Sequence, residues 1–333
     1  MSGKVSDNTG IGTGSIAEAA GGVQILSSDP TLTEGKLWYN STSNTLKVAR
    51  NIGAWSAGGA LNTGRTGSSG SNGTQSACFV AGGSVSGGSR TGTSETYNGS
   101  AWANQGALTG AARTGASNFG TSTAGCAASG WSSSVVNITN EFDGSTWTDA
   151  SATLIQGGYE HGTCGLQTAG LKVGAYNDAT MFDECEEYNG SSWAAAGLIS
   201  ANTYSAQTSG TQTSAVRAGG YVSAVVTTSE TYDGTSWSSS AAISTARRSA
   251  GMFGASDSDA NISAGFGASA DLSSTELWNG SSWASGATRG AALRQIQGAG
   301  NSSGTGLTAG GTSYVTTTEE WSVALTARTL SNS

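Results

Sequence analysis

The sequence predicts an all-β fold, a closed six-bladed β-propeller of four-stranded antiparallel blades that follows a short N-terminal arm and β-hairpin. Three observations predict it. A hairpin motif recurs five times, with 45, 46, 44 and 46 residues between successive tryptophans, a period that fits four short strands and their turns. Small-residue strands that end in glycine lie between the hairpins. The first and last copies of the repeat are incomplete in complementary ways.

The composition favours a folded repeat protein over a flexible chain. The 333 residues include 52 glycines and one proline, but also 10 tryptophans, 9 tyrosines and 6 phenylalanines. So many aromatic side chains are unusual in a disordered linker, which has little apolar surface to bury. Repeat proteins of this length commonly form one folded unit. We therefore expect the aromatic residues to form a core that repeats along the chain.

The repeated motif is an aromatic residue, then Asn or Asp, then Gly, with a tryptophan five positions after the aromatic, as in residues 97–102 (YNGSAW). Asn-Gly and Asp-Gly supply the positive φ angles of a type I′ turn. Each copy therefore predicts a strand, a two-residue turn and a second strand. We expect the tryptophans, with one more in the incomplete first copy, to pack between blades: Trp55, Trp102, Trp147, Trp193, Trp237 and Trp283.

The other strands of each repeat are predicted by runs of small residues that end in a glycine pair, as in 77–83, 216–220 and 307–311. Glycine at these places lets neighbouring blades approach closely. The glycine pair, the aromatic residue and the following tryptophan together resemble the kelch repeat, from residue 50 to about 323. This resemblance implies the propeller fold, although several copies lack the second glycine.

The two ends of the repeat array predict how the ring closes. The last copy has the strand around Glu319 and Trp321 without its turn or its second tryptophan, whereas the segment 51–56 has Trp55 without a preceding aromatic strand. Pairing these segments antiparallel would remove the open edges of the array. We therefore predict closure by the N-terminal segment, with closure by residues 323–330 as the alternative.

Residues 1–49 lie outside the repeat, so we divide the chain into an N-terminal anchoring arm with a hairpin, 1–49, and a propeller, 50–333. The hairpin is predicted at 36–39 and 45–48. The stretch 28–42 (SDPTLTEGKLWYNST) resembles a short module of tailed-bacteriophage fibre and virion proteins, and residues 4–8 (KVSDN) resemble the N-termini of marine phage structural proteins. These resemblances imply other virion proteins as partners of residues 1–49, and a homo-oligomer or multiple copies in the assembly.

Charge and cysteine usage exclude several kinds of partner. Charged residues make up 11% of the chain and the net charge is -8, so we expect no nucleic-acid partner. We find no apolar run that would span a membrane and no secretory signal, so we expect no membrane insertion, and synthesis in the host cytoplasm followed by location on the virion. The four cysteines, Cys78, Cys126, Cys164 and Cys185, have no CxxC spacing. We expect the first three to be free strand residues.

The sequence predicts no catalytic residue, no metal site and no cofactor. Its one histidine, His161, excludes metal sites with several histidines and leaves little support for Ser-His-Asp catalysis. We expect His161 to be a solvated turn residue. Glycoside hydrolysis would need two converging carboxylates, whereas the repeat carries one glutamate or asparagine per copy, two positions before the aromatic. We expect these to be solvated strand residues: Glu95, Asn140, Glu186, Glu230 and Glu276.

One set of residues predicts a ligand site at a mouth of the channel. Ten or eleven positions after a motif tryptophan stand Arg65, Arg113, Tyr204, Arg248 and Arg294. Equivalent positions of a propeller lie at one height around the axis, so their guanidinium groups would favour an anionic or polyhydroxyl ligand. The competing interpretation, which we favour from the sequence alone, is structural, because kelch repeats commonly keep an arginine here for hydrogen bonds between blades.

These patterns predict a non-enzymatic virion structural protein, such as a tail fibre or appendage, whose propeller is displayed for contact with host-surface polysaccharide. Two alternatives remain. A capsid decoration or head-fibre protein would have a propeller without a ligand cleft. A free lectin-like or carbohydrate-active propeller would have a groove with exposed aromatic residues and, if catalytic, paired acids.

Overall fold

A computed structural model describes residues 23–330 of the chain. This part consists of β-strands and loops, with short 3₁₀ turns at Ser86–Gly88 and Thr312–Tyr314 and no α-helix. It therefore has no helix that could cross a membrane. The chain divides into two compact units, a large one of Ala54–Ser322 and a small one that includes residues 23–53 and 323–330. The sequence predicts a boundary after residue 49, whereas the structure places it after residue 53. Residues 323–330 belong to the small unit and not to the propeller unit.

The large unit is a β-propeller, and four of its blades are separate four-stranded antiparallel sheets. In each, the strands follow one another along the chain, as a blade requires. Their strands, after β1 to β7 which are placed below, are β8 (Ser117–Thr121), β9 (Ala124–Ala128), β10 (Ile138–Phe142), β11 (Trp147–Thr153), β12 (Gly162–Leu166), β13 (Ala169–Tyr176), β14 (Met181–Tyr188), β15 (Trp193–Ala195), β16 (Gln207–Thr211), β17 (Ser214–Ala218), β18 (Ser229–Tyr232), β19 (Trp237–Ser239), β20 (Gly251–Ser256), β21 (Asp259–Ser263), β22 (Thr275–Trp278) and β23 (Trp283–Gly286).

A fifth four-stranded blade joins the two ends of the repeat array. Its strands lie in the order β3 (Thr45–Ala57), β26 (Thr318–Thr329), β25 (Thr305–Ala309) and β24 (Gln297–Ser302). Within the propeller unit, the Gly58 N–H donates to the Thr318 carbonyl at 3.0 Å, and the rings of Trp55 and Trp321 are 5.3 Å apart. The predicted closure by the N-terminal segment is therefore confirmed, and the C-terminal residues extend β26 instead of supplying the last strand.

The remaining repeat does not form a four-stranded blade, so the prediction of six such blades is wrong and the structure has five. Strands β5 (Cys78–Ala81), β6 (Ser94–Tyr97) and β7 (Trp102–Gln105) form a three-stranded sheet. The expected inner strand, β4 (Ser71–Asn72), pairs in parallel with β24 instead. The Asn72 side chain explains this, because its amide bonds both the carbonyl (3.0 Å) and the N–H (3.3 Å) of Phe79 in place of a backbone ladder.

The repeated motif forms hairpins, but with a four-residue loop instead of the predicted two-residue turn. Tyr97 pairs directly with Trp102, and the Asn98 side chain accepts the N–H groups of Ser100 and Ala101 at 3.0 and 2.9 Å. Only Gly99 of this loop has a positive φ, +92°. An Asx side chain that caps its own turn removes the need for a type I′ turn. The aromatic and the tryptophan face each other across the hairpin, with ring centroids 4.9 to 5.3 Å apart in the five copies.

Four of the six repeat tryptophans also bond to neighbouring blades, whereas the indole N–H groups of Trp237 and Trp283 have no hydrogen-bond partner among residues 23–330. The Trp102 indole N–H donates to Thr318 Oγ1 of another blade at 2.9 Å, and Trp55 donates in the same way to Thr275 Oγ1 at 2.9 Å. Trp147 and Trp193 make equivalent bonds to Ser94 and Thr139. Trp55 thus occupies the position in its blade that Trp102 has in its own, as predicted. These apolar rings and their bonds to hydroxyl groups hold adjacent blades in register.

The repeated glutamates are buried, so the prediction that they are solvated is wrong. Each pairs with a basic side chain and also accepts backbone N–H groups from a nearby loop, as Glu95 does from Asn62 at 2.7 Å and Thr63 at 3.1 Å. Buried carboxylates are tolerated when they are paired and hydrogen-bonded. The pairs are Arg65–Glu95, Lys172–Glu186, Arg217–Glu230, Arg247–Glu276 and Arg289–Glu319, and Arg113 bonds Asn140 at 2.8 Å in the copy that lacks a glutamate.

The small unit contains the predicted hairpin. Strands β2 (Leu37–Asn40) and β3 are antiparallel, and β1 (Gln24–Leu26) pairs with β2 in parallel. Asp29 holds the unit together, because its Oδ1 accepts Trp38 Nε1 at 3.1 Å, Asn40 Nδ2 at 2.9 Å and Lys47 Nζ at 2.9 Å. These bonds lower the pKa of Asp29, most strongly the one from Lys47. The first 22 residues of the predicted arm lie outside the described residues.

Candidate functional site

Six residues form a closed ring of backbone hydrogen bonds around the propeller axis, which we call the axial ring. The N–H of each donates to the carbonyl of the preceding member, at distances from 2.7 to 3.3 Å. All six have φ between +52° and +72°, the left-handed region that favours glycine. The members are Gly67, Gly115, Glu160, Ser205, Ser249 and Gln295. Four of them nevertheless carry side chains, and these gather at one mouth of the channel.

The residues that precede the axial ring form the walls of this mouth. Two are small, Thr66 and Thr114, and the other four are large: Tyr159, Tyr204, Arg248 and Arg294. Three of the four large residues pair through isolated bridges with a second aromatic residue of the same blade: Tyr176, Tyr221 and Phe266. The large side chains therefore lie together on one side of the axis. There they line an open cleft of about 660 Å³ together with Tyr176, Glu160, Ser249 and Gln295, which we call the tyrosine cleft.

Four tyrosines form a continuous chain of ring contacts along the cleft. The centroids of Tyr159 and Tyr176 are 5.5 Å apart, those of Tyr176 and Tyr204 are 5.2 Å apart, and those of Tyr204 and Tyr221 are 5.4 Å apart. All four side chains are partly exposed. Burial raises the pKa of Tyr159 and of Tyr204, so these hydroxyl groups keep their protons at neutral pH. The cleft thus offers flat apolar faces with hydrogen-bonding hydroxyl groups at their edges.

Two arginines border these rings. Arg248 Nη1 donates to the Tyr204 hydroxyl at 2.7 Å, and its guanidinium carbon lies 5.1 Å from the centroid of Tyr221 and 5.5 Å from that of Phe266. The guanidinium carbon of Arg294 lies 4.5 Å from the centroid of Phe266, and its Nη1 is 3.4 Å from Asp271 Oδ1. The aromatic rings fix both guanidinium groups in orientation.

The predicted ring of Arg65, Arg113, Tyr204, Arg248 and Arg294 therefore divides into two sets. Tyr204, Arg248 and Arg294 line the tyrosine cleft. Arg65 and Arg113 are 1% and 0% exposed and bond Glu95 and Asn140, so they cannot reach a ligand at the mouth. For these two, the structural interpretation is the correct one.

The division arises because Arg65 and Arg113 stand two positions before their members of the axial ring, whereas Tyr204, Arg248 and Arg294 stand one position before theirs. Arg247, not Arg248, is the equivalent of Arg65, since Arg247 bonds Glu276 as Arg65 bonds Glu95. A count from the tryptophan cannot separate the two sets, because Arg113 and Arg248 both stand eleven residues after theirs. Tyr159, Tyr176, Tyr221 and Phe266 were not predicted; Tyr159 stands twelve residues after Trp147, so a count of eleven passes over it.

A second cleft of about 820 Å³ shares Tyr159, Glu160 and Gln295 with the first. Asp178 stands at its edge and accepts the Tyr159 hydroxyl and the Trp131 indole N–H, both at 2.8 Å. The shared Glu160 carboxylate faces the axis, where it accepts Ser205 Oγ and, at 3.4 Å, Gln295 Nε2. The two clefts together form an extended polar and aromatic surface.

His161 is buried, 1% exposed, so the prediction of a solvated turn residue is wrong. Its Nδ1 lies 2.6 Å from Ser117 Oγ, while its Nε2 has no hydrogen-bond partner among residues 23–330. Burial, with the charge of Lys172, lowers the pKa of His161 to about 3. An imidazole with this pKa is a poor general base at neutral pH, so the Ser117–His161 pair lacks the properties of a nucleophile and its base.

The described chain has no cluster of three side chains suited to a metal ion. Its four cysteines are free and buried, in strands β5, β9, β12 and β14. Burial raises the pKa of each thiol, that of Cys185 to about 11. Such thiols are unreactive at neutral pH.

The opposite mouth of the channel has different chemistry. It opens into a space of about 1150 Å³ lined by neutral residues. Glycines at the ends of the inner strands, such as Gly120, Gly165 and Gly210, leave it wide, and Leu166 is its one large apolar side chain, 54% exposed. Charged and aromatic groups therefore distinguish the tyrosine cleft from this mouth.

No protein-family model and no curated protein matches this sequence. Among solved structures, the chain is similar to the structure of YjhT, a propeller protein, with 12% identity and a TM-score of 0.66 over 81% of this chain and 100% of that chain. At this identity the similarity shows the fold alone, and propellers serve many functions. The comparison agrees with the sheets described above, and we conclude that the chain has a β-propeller fold.

Proposed function

We propose that this protein is a non-enzymatic virion component of a tailed bacteriophage, a tail fibre or appendage, whose kelch-like propeller binds host-surface glycans through the tyrosine cleft. Residues 1–49 would attach it to other virion proteins, in several copies per particle. The observation that carries the binding role is the chain of four tyrosines beside Arg248. The virion role is supported by the resemblance of residues 28–42 and 4–8 to phage structural proteins.

The chemistry of the cleft suits a sugar. A pyranose ring has an apolar face of C–H groups and a rim of hydroxyl groups, and partly exposed aromatic rings with polar edges match both features. Tyrosines also lose little conformational entropy on binding, because only two torsions are fixed. The side chains of Glu160, Ser249 and Gln295 at the base of the cleft supply acceptors and donors for the hydroxyl groups.

We infer further that the three-stranded sheet of β5 to β7 acts as the sixth blade of the ring. The axial ring supports this, because Gly67 of that repeat donates to Gln295 and accepts from Gly115. A complete ring has no open sheet edge to pair with another chain. It would also hold the walls of the tyrosine cleft, which come from four different repeats, at fixed distances.

A glycan array probed with the full chain tests the binding role. Tyr204→Ala should reduce binding about tenfold, because an aromatic contact contributes about 0.5–1.5 kcal/mol beyond the area it buries. Leu166→Ala, at the opposite mouth, is the matched control and should bind like the parent. Equal binding by Tyr204→Ala and the parent would refute the proposed site.

Mass spectrometry of purified phage particles tests the virion role. The protein should be found in intact particles, and a chain lacking residues 1–48 should fold but not be incorporated. Absence from particles, together with glycan binding by the free protein, would favour a free lectin instead.

A further inference from the structure

Arg248 differs from the other basic residues of the propeller. Six of those in the described part of the unit contact a carboxylate: Arg65, Lys172, Arg217, Arg247, Arg289 and Arg294. Arg113 is buried against an amide, and Arg90 is exposed with its guanidinium carbon 3.9 Å from the ring of Trp131. Arg248 is partly buried and has no carboxylate within 4.0 Å among the described residues. Its charge is therefore uncompensated inside a cleft.

The side chain of Arg248 is held in place with most of its donors unused. Its one side-chain hydrogen bond among residues 23–330 goes to the Tyr204 hydroxyl, whereas a guanidinium has five N–H donors. The rings of Tyr221, Phe266 and Tyr204 lie 5.1, 5.5 and 5.8 Å from its central carbon. An arginine oriented in this way is suited to a planar anion such as a carboxylate or a sulfate, which it can bind through two parallel hydrogen bonds.

The charge of the cleft differs from that of the whole chain. The protein carries a net charge of -8, yet the tyrosine cleft is lined by two arginines and one carboxylate, Glu160. The Glu160 carboxylate is already occupied by Ser205 and Gln295. Arg294 is paired with Asp271, so Arg248 is the arginine of the cleft without a carboxylate partner, and its charge favours an anionic ligand beside it.

The base of the cleft is built from strained backbone. Glu160, Ser249 and Gln295 line the cleft with φ of +55°, +52° and +56°, where Gly67 and Gly115 occupy the equivalent positions. A residue other than glycine in this conformation costs about 1–3 kcal/mol, and such strain concentrates at binding sites. Side chains are thus present in the cleft at positions where glycine would be more stable, which indicates that they serve the ligand.

We propose that the ligand of the tyrosine cleft is an acidic carbohydrate, with its carboxylate or sulfate on Arg248 and a sugar ring against Tyr204 and Tyr176. The proposal rests on the proposed glycan-binding function and adds the charge of the ligand. Arg294 adds a second guanidinium to the lining of the cleft, 4.5 Å from the centroid of Phe266. The hydroxyl groups of the sugar then meet Glu160 and Gln295.

Titration calorimetry with three oligosaccharide classes tests the proposal: a uronic-acid oligomer, a sulfated galactan oligomer and a neutral galactan oligomer. The full chain should bind one of the acidic classes at least tenfold more tightly than the neutral one, and the comparison of carboxylate with sulfate identifies the anion. Arg248→Gln should remove this preference, so that acidic and neutral oligomers bind this variant with similar affinity. Arg90→Gln, which removes the same charge outside the cleft, should keep the preference.

One further variant and the salt dependence make the outcomes decisive. Tyr204→Phe keeps the ring but removes the hydroxyl that accepts from Arg248, so it should lower acidic affinity less than Arg248→Gln does; thermal melts confirm that each variant folds. Equal affinity for neutral and acidic oligomers, unchanged in Arg248→Gln, would overturn the acidic ligand and leave the glycan function intact. If Arg90→Gln and Arg248→Gln lost equal affinity for the acidic oligomer, the attraction would be nonspecific and the proposal would be overturned. Abolition of acidic binding by 0.5 M salt in both variants would have the same meaning. No binding of any oligomer would contradict both proposals.

Discussion

Replacing Glu276 with alanine would test the role of the buried ion pairs that recur around the propeller. The Glu276 carboxylate lies 2.8 Å from Arg247 Nη2 and accepts the N–H groups of Ser244 at 2.6 Å and Thr245 at 3.2 Å. Both side chains of the pair are buried, at 0% and 3% exposure. Glu276→Ala leaves a buried guanidinium without its counter-charge, which typically costs about 3–5 kcal/mol. We expect a decrease of that size in the free energy of unfolding, measured by urea denaturation at pH 7.

Two related variants serve as controls for this prediction. Glu276→Asn imitates the copy in which Asn140 accepts Arg113 at 2.8 Å, so it should lose less stability than Glu276→Ala. Replacing both partners, Arg247→Met with Glu276→Leu, should recover part of the loss, because it removes the uncompensated charge. A loss below about 1 kcal/mol for Glu276→Ala would refute the argument that these pairs connect the loops to the blades.

Three further predictions concern stability. Trp193→Ala removes a buried ring that contacts Tyr188 and donates to Thr139, so it should cost about 3–5 kcal/mol; a melting curve like that of the parent would contradict this packing role. The pKa of His161 is about 3 in the folded protein, against an ordinary value of 6.5. Between these pH values His161 binds a proton in the unfolded chain but not in the folded one, so the free energy of unfolding falls as the pH decreases from 6.5 to 3. His161→Asn should make the free energy of unfolding less dependent on pH in that window, and an unchanged slope would show that His161 does not titrate as described. Removal of residues 1–48 should leave the propeller as stable as before, whereas removal of 1–58 also deletes Trp55 and should destabilise it; equal stability of the two truncations would contradict closure by β3.

The hairpins and the closure could be predicted from the sequence because local chemistry determines them. An Asx-Gly pair followed by a tryptophan produces a hairpin in every copy, whichever turn type it adopts. The first copy lacks the aromatic strand before Trp55, and the last copy lacks the tryptophan strand after Glu319. Pairing these two segments with each other was therefore the simplest way to close the ring. In each case a few adjacent residues carried the information.

The burial of the glutamates and the division of the arginines could not be predicted in the same way. A period in the sequence shows that Glu95 and Glu276 are equivalent, but not whether that position faces solvent or a neighbouring loop. A count of ten or eleven residues from the tryptophan placed Arg65 and Arg248 in one set, although Arg65 stands two positions before the axial ring and Arg248 one position before it. The tyrosine cleft combines residues of several repeats that are not identical, and only the three-dimensional ring brings them together.

A crystal structure of the propeller with an acidic oligosaccharide would test the central claim most directly. We expect a sugar ring against Tyr204 and Tyr176, with its anionic group within hydrogen-bond distance of Arg248. A sugar bound instead at the opposite mouth, beside Leu166 and Gly165, would contradict it.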